Sequence, residues 1–147
     1  MDPSTSVRLA EAKADRETCF RIRWTVFVEE QGVPPSLELD AHDRDPQTVH
    51  ALGLFKGVPA AAGRAVFLEG SVAKIGRMAV IDDVRGRGLG VAVLRFLEDE
   101  ARRRGAKVAT LGAQVQAKGF YEQHGYGAVG DVFDDAGIAH LEMRKAL

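Results

Sequence analysis

The stretch Arg85-Gly86-Arg87-Gly88-Leu89-Gly90-Val91 lies between an apolar run and a long amphipathic segment. Three glycines at alternate positions let the backbone turn tightly or approach another group closely, because glycine reaches left-handed conformations without a Cβ penalty. Two arginines are interleaved with them. The residues that follow place Leu89, Val93, Phe96, Leu97 and Ala101 on one stripe at helical spacing, with Gly105 as terminator. The glycines therefore sit at a helix N-terminus, where free N–H groups and the helix dipole attract anions. Strand, Gly/Arg turn and helix in that order predict a pyrophosphate cradle. An ordinary strand-to-helix turn, with Gly for geometry and Arg for solubility, would use the same residues.

Upstream of this loop, Val49–Phe55, Ala60–Phe67 and Val72–Val80 read as strands joined by turns at Lys56-Gly57 and Glu69-Gly70, an antiparallel meander. Val7–Ala10 reads as a first strand. Asp15 can cap a helix running to about Gln31, ended by Gly32, with Cys19, Ile22, Val26 and Phe27 on its apolar face. From Gly32 to Gln47 the chain reads as irregular, with Pro34, Pro35 and the acidic run Glu38 to Asp43, and loops of that length are often functional. Downstream come a strand at Lys107–Leu111, a short helix at Ala117–His124 and strands around Tyr126–Phe133 and His140–Met143. The order predicts an α/β (α+β) fold: one domain over residues 1–147, with a mixed, mostly antiparallel sheet of about seven strands flanked by helices. The main helix supplies one right-handed βαβ crossover.

Composition narrows the function. A formal net charge of −1 argues against a nucleic-acid or anionic-membrane binder, which needs a basic face. No apolar stretch approaches the roughly 18 residues of a membrane span. Met1 to Ser6 is polar and lacks the pattern of a secretory signal, so a cytoplasmic location is expected. Cys19 is the single cysteine, which excludes an internal disulfide and a cysteine-based metal site, and its apolar helix face predicts a buried, inert thiol.

Three stretches carry a family resemblance: Ile75-Gly76-Arg77-Met78-Ala79-Val80, the loop Val84 to Gly90, and Gly119-Phe120-Tyr121-Glu122-Gln123-His124-Gly125-Tyr126. Together they resemble the GNAT superfamily of N-acetyltransferases. In that family a Gln/Arg-x-x-Gly-x-Gly/Ala loop binds acetyl-CoA, and Arg85, Gly88 and Gly90 fill its defining positions. The likeness runs from Val7 to Met143, and Val26 to Pro34 with Glu38-x-Asp40-x-x-Asp43 is similar to an uncharacterised bacterial branch. The resemblance implies acetyl-CoA as co-substrate, no metal, and an amine acceptor. It implies that the amides of Gly86, Arg87, Gly88, Leu89, Gly90 and Val91 hold the pyrophosphate, with Arg85 and Arg87 adding charge. It implies that Met78, Ala79 and Val80 pair their backbone with the pantetheine arm and polarise the thioester carbonyl; the Met78 and Val80 side chains read better as core packing. Tyr121 matches the family's general acid, against the plainer reading of a Tyr buried beside Phe120. Homodimers are common in the family, which makes a homodimer an expectation by analogy alone.

A base is harder to find. An amine of pKa about 10 is only about one part in a thousand neutral at pH 7. Some family members use a Glu on the fourth strand, where this chain has Lys74, Gly76 and Arg77. The candidates are Glu38, Asp40, His42, Asp43, His50 and His140. His50 stands out because it interrupts an apolar strand and an imidazole titrates near neutrality; a water relay needs no single base. Glu38, Asp40 and Asp43 read either as a carboxylate rim selecting a cationic amine or as a solvated charge run. The expected activity is transfer of acetyl to a primary amine of a small molecule or peptide by direct attack. Arg23-x-x-x-Phe27 with the acidic run also resembles acyl-homoserine-lactone synthases, which use S-adenosylmethionine, and a non-catalytic acyl-CoA sensor is a third reading.

Overall fold

A computed structural model describes residues 3–147. Seven strands form one sheet: β1 (Thr5–Leu9), β2 (Val49–Phe55), β3 (Val58–Leu68), β4 (Val72–Val80), β5 (Val108–Gln114), β6 (Gly127–Asp135) and β7 (Ile138–Ala146), in the order β1-β2-β3-β4-β5-β7-β6. Every neighbouring pair is antiparallel except β4 and β5. The helices are α1 (Lys13–Arg23), α2 (Pro35–Glu38), α3 (Leu89–Arg103) and α4 (Lys118–Gln123). The mixed, mostly antiparallel architecture is the one expected. Among the described residues, no helix is long and apolar enough to cross a membrane.

Helices cover both faces of the sheet. On one face α3 buries Leu89, Val93, Leu94 and Leu97 against Ala51, Ala61, Ala65 and Ile75. On the other, α1 brings Cys19 and Ile22, and the turn that continues it Val26, onto Leu52, Leu54, Ala62 and Ala79. A strand covered on both sides loses its alternation, and β2 is buried from Val49 to Leu54. This burial takes in His50. Gly53 and Gly63 let α3 approach closely: a Cβ at Gly63 would lie 2.9 Å from Leu97, Met78 and Val93 side-chain atoms.

Two local expectations change. The first helix is capped at Ala12, because the Asp15 carboxylate is taken by Arg8 (Nε to Oδ2, 2.9 Å) rather than by backbone amides. It is also α-helical only to Arg23 and continues as a wider π-turn over Trp24–Glu30. The segment expected to be irregular contains α2 and a 3-10 turn at Ala41–Arg44, the latter closed by a capping box between Asp40 and Asp43.

Two irregularities shape the functional face. β4 and β5 pair only over Val72–Lys74 and Val108–Thr110, then diverge. The β3–β4 register also shifts between Ala62 and Arg64, so that β4 carries an extra residue and Arg77 takes φ +51°. Both place unpaired β4 backbone beside an open space.

Candidate active site

Where β4 parts from β5 the sheet opens into a cleft of about 950 Å³. Phe27 and Leu37 wall it on the side of the π-turn and α2; Arg77, Gln114, Tyr121 and His140 contribute from β4, β5, α4 and β7. Met78 also reaches it, while packing against the α3 core.

The Gly/Arg loop runs from the end of β4 into α3. Gly86 (φ +80°) and Gly88 (φ +84°) are both left-handed, and Gly88 is the helix N-cap. A Cβ at either would meet no heavy atom within 4 Å, so the requirement for glycine here is conformational. The space above them is open. Gly88 supplies its carbonyl to the Ala92 N–H, which leaves the Leu89, Gly90 and Val91 amides as the free first turn of α3. Left-handed glycines and the first amides of a fifteen-residue helix, with open space beside them, fit a pyrophosphate. Gly86 to Val91 would hold it. A bound acyl-CoA would supply the activated thioester.

The two arginines also make contacts within the protein. Arg85 donates to Glu30 through both terminal nitrogens (2.5 and 2.7 Å) and from Nε to the Val80 carbonyl (2.9 Å). Its guanidinium ties the loop to the π-turn, and the hydrogen bond from Arg85 holds the Glu30 carboxyl below its usual range. Arg87 stands over the Phe55 ring, 5.6 Å from its centroid. Neither contact was legible in the motif.

Tyr121 lies half-buried on the cleft wall, edge-on to Phe120 and Tyr126 at 5.1 and 5.9 Å. Burial raises its phenol above the ordinary value. Its hydroxyl makes no hydrogen bond among the described residues, whereas Tyr126 next to it donates to Glu98 at 2.7 Å, and Lys145 pairs with the same carboxylate at 3.0 Å. Of the two tyrosines in this cluster, Tyr121 is thus the one with its proton uncommitted.

The structure does not bring His50 to this place. It packs edge-on against Phe20 at 5.6 Å beneath α1 and is not among the residues that line the cleft. Its Nε2 is buried without a partner, and burial lowers its pKa to about 4. His42 and His140 do line the cleft.

The acidic run is neither a free rim nor a solvated patch. Arg23, only 1% exposed, donates Nε to Glu38 at 2.6 Å and its terminal nitrogens to Asp43 at 2.7 and 3.0 Å. Arg64 grips Asp40 through two hydrogen bonds of 2.7 and 2.8 Å and reaches Asp43 at 2.9 Å. Arg77, on the β4 bulge, donates to the Glu38 carbonyl at 3.0 Å and to Asp40 at 3.3 Å. Hydrogen bonds from Arg64 lower the Asp40 pKa. Burial would raise that of Asp43, but the hydrogen bond and charge of Arg23 outweigh it and hold the carboxyl well below the usual range. Three arginines satisfy three carboxylates. The signal for Arg23 was present in the sequence, since it stands on the same helical stripe as Cys19, Ile22 and Val26.

A glycine turn at a helix N-terminus, a split parallel strand pair and an uncommitted tyrosine on the cleft wall are the arrangement of an acyltransferase fold. Residues 48–147 match the acetyltransferase (GNAT) domain family. A Bacillus subtilis protein assigned as an acetyltransferase is 36% identical over 141 residues, 95% of each chain. The crystal structure of a Lactobacillus plantarum protein assigned as an N-acetyltransferase superposes with a TM-score of 0.89 at 28% identity, over 98% of this chain and 99% of that one. An acyl-CoA N-acyltransferase from Pseudomonas aeruginosa superposes with a TM-score of 0.83 at 25% identity, over 97% and 98% of the two chains. The chain belongs to the GNAT family of acetyltransferases.

Proposed function

We propose that this protein transfers an acetyl group from acetyl-CoA to a primary amine of a small molecule or peptide by direct attack. The observation that carries this reading is the split of β4 from β5, which opens a cleft lined by Met78 and Tyr121, with the Gly86–Val91 turn into α3 following at the end of β4. Family membership supports acyl transfer, and the Pseudomonas relative's description as an acyl-CoA N-acyltransferase supports the donor class.

The residues divide the work. The backbone of Met78, Ala79 and Val80 aligns the donor arm and polarises the carbonyl; Gly86 to Val91 hold the pyrophosphate. Tyr121 is the acid. Its burial keeps the phenol protonated across neutral pH, the form needed to protonate a departing thiolate of pKa about 8.5. His50 takes no part. Arg23 and the acidic run, which carry the likeness to acyl-homoserine-lactone synthases, form a buried ion-pair network in this protein.

Acetyl-CoA should raise the melting temperature, and an amine panel monitored for thiol release should give turnover. Binding without turnover on any amine would leave an acyl-CoA sensor instead. Tyr121→Phe should retain acetyl-CoA binding and lose about 10²-fold or more in kcat. Unchanged turnover in that variant would remove Tyr121 from the chemistry.

A further inference from the structure

Two imidazoles reach the cleft, and only one is held. The His140 Nδ1 lies 2.7 Å from the Ile138 carbonyl oxygen. A carbonyl can only accept, so in the neutral ring Nδ1 carries the hydrogen and Nε2 presents the lone pair. The ring stacks on Phe133 (centroids 5.9 Å apart, planes 26° apart), which fixes its second degree of freedom. Its Cδ2–Nε2 edge turns toward Gly112 of β5, where an added Cβ would lie 4.0 Å from Cδ2 and 3.5 Å from Phe133. Gly112 has no left-handed backbone to explain the glycine. Gly112 and His140 both line the cleft, and a side chain larger than a methyl at Gly112 would extend beside the ring edge.

We propose that His140 is the general base of the acyl-transfer reaction, its tautomer set by the Ile138 carbonyl. The proposal rests on the acyltransferase reading above. Of the other candidates, Glu38, Asp40 and Asp43 are paired with arginines and His50 faces away, while His42, which also lines the cleft, has no side-chain contact among the described residues to set its tautomer. Around His140, β5 contributes only neutral groups to the cleft, Thr110, Gly112 and Gln114 among them. The ionisable groups that β4, β6, β7 and α4 add beside it are Lys74 and Arg77, Asp135, Glu142 and Arg144, and Tyr121; Glu38, Asp40, His42, Arg64 and Glu69 line the rest of the cleft. Glu142 is engaged by Arg144 at 2.8 Å and by Thr110 at 3.1 Å.

The step balances as follows. An alkylammonium gives one proton to the His140 Nε2 and becomes a neutral amine. The amine lone pair forms the C–N bond, the C–S bond breaks, and the sulfur keeps its electron pair and takes the Tyr121 proton. The second N–H proton lost by the nitrogen restores the phenol through solvent, and His140 returns its proton to water. One proton is released overall.

The decisive variant is His140→Gln, which cannot titrate. Its kcat/KM should fall by about 10²-fold at neutral pH. The deficit should shrink as pH rises toward about 10, where the amine is already neutral. Gly112→Val, which covers the ring edge without removing the base, should raise the amine KM and spare acetyl-CoA binding. Long-range nitrogen–proton NMR of the wild-type protein, independent of turnover, should show the Nδ1–H tautomer for His140. A deficit of equal size at every pH, no deficit, or an Nε2–H tautomer would overturn the proposal. Failure of the broader reading looks different: the wild-type protein itself would release no thiol with any amine.

Discussion

His50 shows how burial turns a residue suited to chemistry into one suited to stability measurements. Its unfolded pKa is 6.5 and burial lowers the folded value to about 4, so between those limits the unfolded chain binds more protons. Stability is therefore complete above about pH 6.5 and falls as pH drops toward about 4. Asp40 and Asp43 behave in the same sense but in a lower window. Their folded pKa values are depressed, so their contribution is lost only below the unfolded carboxylate value of about 3.9. Melting temperature recorded against pH should show two separate slopes, and His50→Leu should flatten the upper one while leaving the lower. An unaltered slope between pH 6.5 and 4 in that variant would assign the upper transition to another group. Cys19 illustrates the same force on a different group: beneath α1 its thiol is pushed up to about 12, which keeps it protonated and inert, as its place on the apolar stripe suggested.

At the scale of elements, the features legible in advance were those written in local pattern. The α3 stripe, the Gly/Arg loop before it and the hairpin turns of β2 to β4 each depend on residues within a few positions of one another. What was not legible depends on distant partners. Asp15 was read as a cap because its neighbours make a helix, yet Arg8 from β1 takes the carboxylate. The resemblance implies that Arg85 adds charge at the pyrophosphate, and its contact with Glu30, fifty-five positions away, lies outside any local pattern. The edge strand β6 is exposed along its whole length, and its register with β7 shifts between Val129 and Phe133 around a left-handed Gly130. Such a bulge discourages edge-to-edge pairing and spoils the alternation by which a strand is recognised. Helix α3 offers the cleanest test of element packing. In Gly63→Ala the new Cβ would stand 2.9 Å from Leu97, Met78 and Val93, three side chains already in the core. Overpacking of this kind costs about 1–3 kcal/mol, to be read from the denaturant midpoint at constant slope. An unchanged midpoint would mean that Met78, the most pliable of the three, moves aside at no cost.

Across the whole molecule, the α2 side of the cleft, where the proposed function would seat the acceptor, is a segment pinned to the sheet by charge. Residues 35–44 contribute α2 and a 3-10 turn, too little regular structure and too few buried apolar groups to hold a position alone. Arg23 from α1, Arg64 from β3 and Arg77 from the β4 bulge hold them through Glu38, Asp40 and Asp43. The donor cradle stands apart from this network, on the loop from β4 to α3. Arg23 is the keystone, because it is only 1% exposed and engages two carboxylates that are themselves 2% and 4% exposed. Arg23→Met keeps the side-chain bulk but strands the buried Glu38 carboxylate and leaves Asp43 to Arg64 alone, an outcome that costs about 3–5 kcal/mol. The loss should appear as a lower denaturant midpoint, new proteolytic cleavage within residues 35–44, and a raised amine KM with acetyl-CoA affinity unchanged. Adding Glu38→Gln and Asp43→Asn to Arg23→Met removes the stranded charges and should recover part of the stability, since the penalty lies in uncompensated anions rather than in a missing bond. A triple variant no more stable than the single one would show that Arg23 acts through packing alone, and equal loss of acetyl-CoA affinity would show that donor and acceptor sides of the cleft are a single unit.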